Sequence, residues 1–271
     1  MKAPDFLCIG GHICGSSWMH NQLGKHPEIW ASSVKEIHYW DILRNNIKER
    51  ERSRRHCRKA YKRMFRQLPY LTNEKARADI AFAWRFTVPG AMQYDKESWY
   101  FSLFPQNFIS GETTPAYETL DEATLARIAK TCPEAKIIYV LRDPVERAWS
   151  LAFKHIMKKG VDLANHDPVQ AISDYLMHTT PPESRSLQRA KYTQNIDRWR
   201  KYYDDSQFQV LFFDEMKAAP ETFFQRIEAF LGVQQGMLPA YDQDFSKTRK
   251  KHGSGKDYEM PSEVRQYLYD L

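Results

Sequence analysis

No apolar run in this 271-residue chain approaches the roughly 20 residues that a bilayer-spanning helix needs. A membrane span is therefore not expected. Cysteine is sparse: Cys8, Cys14, Cys57 and Cys132 are scattered, and none sits in a CxxC spacing. That argues against a disulfide framework or a zinc site and fits reduced thiols in a cytoplasm. The early run Phe6-Leu7-Cys8-Ile9 is too short for the apolar core of a signal peptide. A soluble, cytoplasmic protein is the expectation. The sequence also has no internal repeat, no low-complexity tract and no domain linker, so residues 1–271 read as one domain. The amphipathic pattern of Val264, Leu268 and Leu271 stops abruptly, as if a natural tail were missing.

What is present is ordinary for a globular chain: 42% hydrophobic and 27% charged residues, with 14% aromatics. The net charge of +6 is local. Residues 44–66 hold eleven Lys/Arg against Glu49 and Glu51, a net +9, which leaves −3 for everything else. The stretch reads as a basic helical insertion over about 44–68. Three readings of it stay open: a solvated helix face, a surface for an anionic acceptor such as an acidic glycan, or a nucleic-acid arm. The last is disfavoured, because few aromatics are interleaved with the charges and no nucleic-acid motif surrounds them.

Strand-like and helix-like segments alternate. Phe6–Ile9, Ile29–Ser32, Asn107–Gly111, Lys136–Leu141 and Phe208–Phe213 read as strands, continuous and apolar enough for burial in a parallel sheet. Helical spacing follows over 16–25, 120–131, 184–203 and from Pro220 to Gly232, and Pro144 opens a helix after the clearest strand. The pattern predicts an α/β fold, a central mainly parallel sheet with flanking helices.

Two loops carry the chemistry. Gly10-Gly11-His12-Ile13-Cys14-Gly15-Ser16-Ser17 joins a strand to a helix. Exposed N–H groups and the helix dipole there suit a phosphate, with Ser16 and Ser17 as hydroxyl donors. A Walker loop would carry Lys where Ser16 stands, which disfavours an ordinary nucleotide triphosphatase. The plainer alternative is a glycine turn capped by a serine. The second loop, Arg142-Asp143-Pro144-Val145-Glu146-Arg147-Ala148-Trp149-Ser150, puts Arg142 at a strand's carboxyl end, with Ser150 two helical turns past Asp143. A planar guanidinium fork and a hydroxyl suit a second phosphate, although Arg142 pairing with an acid and Ser150 packing would also explain them.

Together these loops resemble the sulfotransferases that use 3'-phosphoadenosine 5'-phosphosulfate, with likeness to bacterial members and to the heparan sulfate branch. Five further or overlapping stretches run in the family's order: Lys35-Glu36-Ile37-His38-Tyr39-Trp40, residues 99–105, 111–120, 141–153 and 213–233. The resemblance implies a P-loop-like fold, no metal, and adenosine 3',5'-bisphosphate as the product. Carried over by position, Gly11, His12, Ile13, Cys14, Gly15, Ser16, Ser17 and Trp18 would cradle the 5'-phosphosulfate end. Arg142 and Ser150 would hold the 3'-phosphate, with Lys250, Lys251 and Gly253 in a late basic loop closing over it. Glu36 or His38 would be the catalytic base. If 36–38 is extended, both point to one face.

One departure stands out. The family's first loop runs G-x-x-K-x-G-T-T, and Ile13 occupies its lysine position. Losing such a transition-state donor typically costs about 10²–10³ in rate. Lys35 is the candidate substitute and His12 the second. Three functions follow from the sequence: a sulfotransferase acting on a hydroxyl or amine of a small-molecule or glycan acceptor, a nucleotide-binding protein that has lost chemistry, or a divergent nucleotide kinase.

Overall fold

The computed structural model describes residues 1–32, 34–42, 73–87, 93, 96–160, 167–181, 184–238 and 258–270. The basic stretch 44–68, Cys57, Tyr94 and the late-loop residues Lys250, Lys251 and Gly253 lie outside the described residues.

Five strands form one parallel sheet: β1 (Phe6–Gly10), β2 (Ile29–Ala31), β3 (Ile109–Thr113), β4 (Lys136–Leu141) and β5 (Phe208–Phe212), in the order β2-β3-β1-β4-β5. The strands alternate between two apolar layers, as the two-residue period of a strand requires. Leu7, Ile9, Ile137, Tyr139 and Leu141 join one cluster, while Phe6, Cys8, Ile138 and Val140 join the other. The first layer is filled by α3 (Glu74–Thr87), α4 (Glu97–Ser102) and α5 (Glu122–Thr131), reached after the short helix α2 (Tyr39–Ile42). Trp199 of a later helix, Tyr192–Arg200, completes it. The second layer is filled by α1 (Ser16–Lys25), by a helix over Phe213–Ala218 and by one over Pro220–Leu231. A third cluster joins α6 (Pro144–Lys158) to Ile172, Leu176 and Val264.

Glycine is required where β1 and β3 approach: a Cβ at Gly111 would lie 2.2 Å from the Phe6 carbonyl oxygen. From β1 the chain crosses to β2 on one side, and from β3 it passes over β1 to β4 on the other. The connections reverse beside β1, so the loops after β1 and β4 open at neighbouring carboxyl ends. In open α/β sheets this is where ligands bind.

Differences from the sequence reading are small and local. The third strand begins at Ile109 and runs to Thr113, two residues later than expected. The helix expected over 184–203 is two, Arg185–Gln188 and Tyr192–Arg200, separated by a turn. Residues 36–38 are not extended: Glu36 and His38 have φ of 65° and 58°. Hydrogen bonding accounts for part of this turn, since the Glu36 N–H donates to the Thr113 carbonyl at 3.1 Å. Of the aromatics between 66 and 100, Phe86 and Trp99 are core residues, while Trp84 is exposed.

Candidate functional site

The first loop is pinned at its start, where the Gly11 N–H donates to the Val140 carbonyl at 2.7 Å. It closes at Gly15, in the left-handed region at φ 79°. Only glycine takes that conformation without strain, and a Cβ there would sit 2.1 Å from Met216 Cε. Ile13 is also left-handed, at φ 69°. For an L-residue this costs about 1–2 kcal/mol, most of all when β-branched. The α1 N-terminus has no side-chain cap bond and no acidic residue in its first turn. Its amides and partial positive charge thus suit an incoming anion. The Trp18 side chain packs into the core, edge-on to Phe224. Cys14 is buried too, and burial pushes its thiol up to about 12.

Lys35 stands over this helix end. Its Nζ donates to Ser16 Oγ at 3.0 Å, to Ser17 Oγ at 3.1 Å and to Glu36 Oε1 at 3.3 Å. Burial lowers the Lys35 pKa, and the Glu36 carboxylate opposes that shift. The ion pair with Glu36 and the contact with both serines therefore occur together. For His12, the second candidate cation, burial first and then the charges of Arg189 and Lys154 lower the pKa to about 3, which favours the neutral ring in the ligand-free chain.

Glu36 and His38 meet despite their left-handed backbone. His38 Nε2 lies 3.5 Å from Glu36 Oε2, and Nδ1 lies 2.8 Å from Asp41 Oδ2. Burial disfavours the charged ring, but hydrogen bonds to Asp41 and Glu36 prevail and raise His38 to about 10. Burial likewise raises Glu36, yet His38 and Lys35 outweigh it and hold the carboxyl well below the usual range. The cluster is an imidazolium between two carboxylates, one of which also holds Lys35. Asp41 was missed in the sequence, although its place three residues after His38, at the start of α2, was a usable signal.

The second loop folds onto the first. Arg142 Nη1 donates to the Ile13 carbonyl at 3.3 Å, and Nη2 donates to Ser150 Oγ at 2.9 Å. Asp143 caps α6 by accepting from the Glu146 N–H at 2.8 Å, which points Ser150 back toward Arg142. The guanidinium also lies 5.1 Å from the Phe213 ring centroid. Arg142 is 6% exposed and Ser150 8%. Behind the loops, buried Glu118 accepts from Tyr139 Oη at 3.1 Å and lies 3.3 Å from Arg189 Nε. Burial pushes its carboxyl up to about 7 against the pull of Arg189. Nothing in the sequence pattern singled out this support.

A family model described as "Sulfotransferase family" matches residues 4–236. The chain belongs to the sulfotransferase family. The sulfotransferase chain is 30% identical over 150 residues to bifunctional heparan sulfate N-deacetylase/N-sulfotransferase 4 of Mus musculus, covering 50% of this chain and 16% of that protein. It is 31% identical over 156 residues to carbohydrate sulfotransferase 15 of Mus musculus, covering 54% and 26%. It thus spans well under half the length of these relatives. A sulfotransferase of Alicyclobacillus acidocaldarius shares the fold, with a TM-score of 0.63 at 20% identity over 100% of this chain and 91% of that one. Among the described residues, no helix is long and apolar enough to cross a membrane.

Proposed function

We propose that this family member transfers a sulfuryl group from 3'-phosphoadenosine 5'-phosphosulfate to a hydroxyl or amine of a glycan or other small acceptor. The observation that carries the reading is the bridged pair of anion cradles. Arg142 touches Ser150 and the first loop at once, and Lys35 touches both serines at the α1 N-terminus. A nucleotide phosphorylated at both ends matches that charge layout. When bound, this donor supplies an activated sulfuryl group whose acceptance expels adenosine 3',5'-bisphosphate.

The chain's own groups then divide the work. Gly11 to Ser17 and the α1 amides hold the 5' end, and Arg142 with Ser150 holds the 3'-phosphate. Lys250, Lys251 and Gly253 belong to the same proposal by resemblance. Lys35 supplies the positive charge that Ile13 does not, at the place where negative charge develops. Glu36 takes the acceptor proton, because His38 already holds its own and can only orient the carboxylate. The ion pair makes Glu36 a weak base. An anion at the α1 N-terminus competes with Glu36 for the Lys35 ammonium and so raises the basicity of Glu36; donor binding thus primes proton removal. The acidic-glycan relatives and the basic stretch at 44–66 favour an anionic acceptor over nucleic acid. A cytoplasmic setting is part of the same proposal.

Calorimetry with adenosine 3',5'-bisphosphate against ATP, followed by labelled-sulfate transfer to an acceptor panel, tests the reading. Selective uptake of the bisphosphate together with transfer is the expected result. No uptake overturns it. Uptake without turnover on any acceptor would instead favour the binding protein that Ile13 suggests.

A further inference from the structure

Glu112 lies at the end of β3, fully buried in the apolar layer beneath α2. A carboxylate there is costly unless its oxygens are satisfied. Three hydroxyls satisfy it: Tyr100 Oη at 2.5 Å and Tyr117 Oη at 3.1 Å donate to Oε1, and Thr114 Oγ1 donates to Oε2 at 2.7 Å. Both tyrosines then reach α2. Tyr117 Oη accepts the Trp40 N–H at 3.2 Å. The Tyr100 ring stacks on Tyr39 with centroids 4.1 Å apart and planes 9° from parallel, and meets Trp40 edge-on at 5.4 Å. The neighbouring Thr113 carbonyl holds the Glu36 N–H. The end of β3 therefore grips the segment 36–41 at both ends.

We infer that Glu112 is a positioning residue, which through Tyr100 and Tyr117 sets the place of α2 and hence the spacing of Asp41, His38 and Glu36. This inference rests on the proposed sulfotransferase chemistry for its catalytic meaning, but the positioning itself is a property of the free protein. Glu112 makes no hydrogen bond to any of the three residues, though its charge and that of Asp41 repel; Tyr117→Phe, which keeps the Glu112 charge, separates positioning from that repulsion. Glu112 fixes two aromatic side chains, and those fix the backbone between the carboxylates that hold the imidazolium.

The test reads that spacing directly. The His38 ring is followed by NMR through a pH titration in wild type, Glu112→Gln and Tyr117→Phe, without donor or acceptor. Tyr203→Phe is the control, because Tyr203 Oη donates to the Cys132 carbonyl at 3.0 Å in the same buried layer without touching Glu112. The His38 midpoint is expected to fall by about one unit or more in the first two variants, a tenfold loss of preference for the proton, and to stay in the control. An unchanged midpoint in Tyr117→Phe overturns the inference, as does an equal fall in Tyr203→Phe. Tyr117→Phe keeps the test decisive if Glu112→Gln fails to fold. Where transfer is measurable, kcat falls about ten- to a hundredfold in Tyr117→Phe with donor KM unchanged. Weakened donor binding at unchanged kcat counts against it. Absent transfer with a shifted midpoint sinks the sulfotransferase reading and leaves the positioning intact.

Discussion

Lys35 and Ser16 stand nineteen residues apart in sequence, yet the Lys35 ammonium donates to the Ser16 hydroxyl at 3.0 Å. A cation from the segment after β2 thus occupies the helix end that Ile13 leaves uncharged. Replacing Lys35 by Met is expected to lower sulfate transfer about 10²–10³-fold. Binding of the bisphosphate product, measured by calorimetry, changes far less. Adding Ile13→Lys to that variant restores part of the rate. A Lys35→Met enzyme with full turnover would show that the charge is supplied elsewhere.

Arg142 and Ser150 form a single hydrogen-bonded unit. Hydrogen bonds to charged groups contribute about 1.5–3 kcal/mol, so Arg142→Ala should weaken adenosine 3',5'-bisphosphate about ten- to a hundredfold. Ser150→Ala should cost about tenfold or less. Ser150→Ala should leave binding of adenosine 5'-monophosphate, which has no 3'-phosphate, unchanged, and Arg142→Ala should weaken it far less than the bisphosphate, through the lost bond to the Ile13 carbonyl. Calorimetry with the two nucleotides compares them directly.

His38 links folding to pH. Its pKa is about 10 in the folded chain, whereas an unfolded histidine titrates near about 6.5. The native state therefore holds this proton more tightly. The resulting stabilisation is complete below the unfolded value and disappears as pH rises through the folded one. Wild type should lose stability relative to His38→Asn between neutral pH and about pH 10. Urea midpoints of both proteins across that range test the sign. Glu36 behaves oppositely at acid pH: its depressed pKa gives stability that is lost as pH falls below the usual carboxylate range.

Gly15→Ala should destabilise the chain by about 1–3 kcal/mol, since an L-residue must take a left-handed backbone and displace Met216. Denaturant midpoints should fall at an unchanged slope. Bisphosphate binding should weaken in parallel, because the same turn presents the α1 amides.

The sheet was legible because its central strands β1 and β4 are buried on both faces and read as unbroken apolar runs. Phe6–Ile9 and Lys136–Leu141 carry no competing helical period, and their order with the intervening helices determined the class of fold. The loops were legible because their chemistry is local: glycine, serine and arginine at strand ends. The Glu36–His38–Asp41 cluster was only half legible. Its members were close in sequence, but the left-handed turns that bring them together depend on a carbonyl from β3, more than seventy residues away. The same limit hid Glu118, a buried acid whose partners Tyr139 and Arg189 come from later elements; Glu112 was hidden for another reason, since Tyr100, Thr114 and Tyr117 lie near it in sequence but only the fold turns their hydroxyls onto it. A carboxylate that looks solvent-facing in a sequence gains its meaning only from the hydroxyls or guanidinium that tertiary packing brings to it.

The strand β1 lies between two kinds of machinery. In the proposed chemistry, its β4 side carries the arginine and serine for the nucleotide, and its β3 side the acids and imidazolium for the incoming nucleophile. Lys35 ties the two together, because one ammonium holds both the α1 serines and Glu36. Segments exchanged on the recipient side to change preference would therefore have to keep that lysine in place.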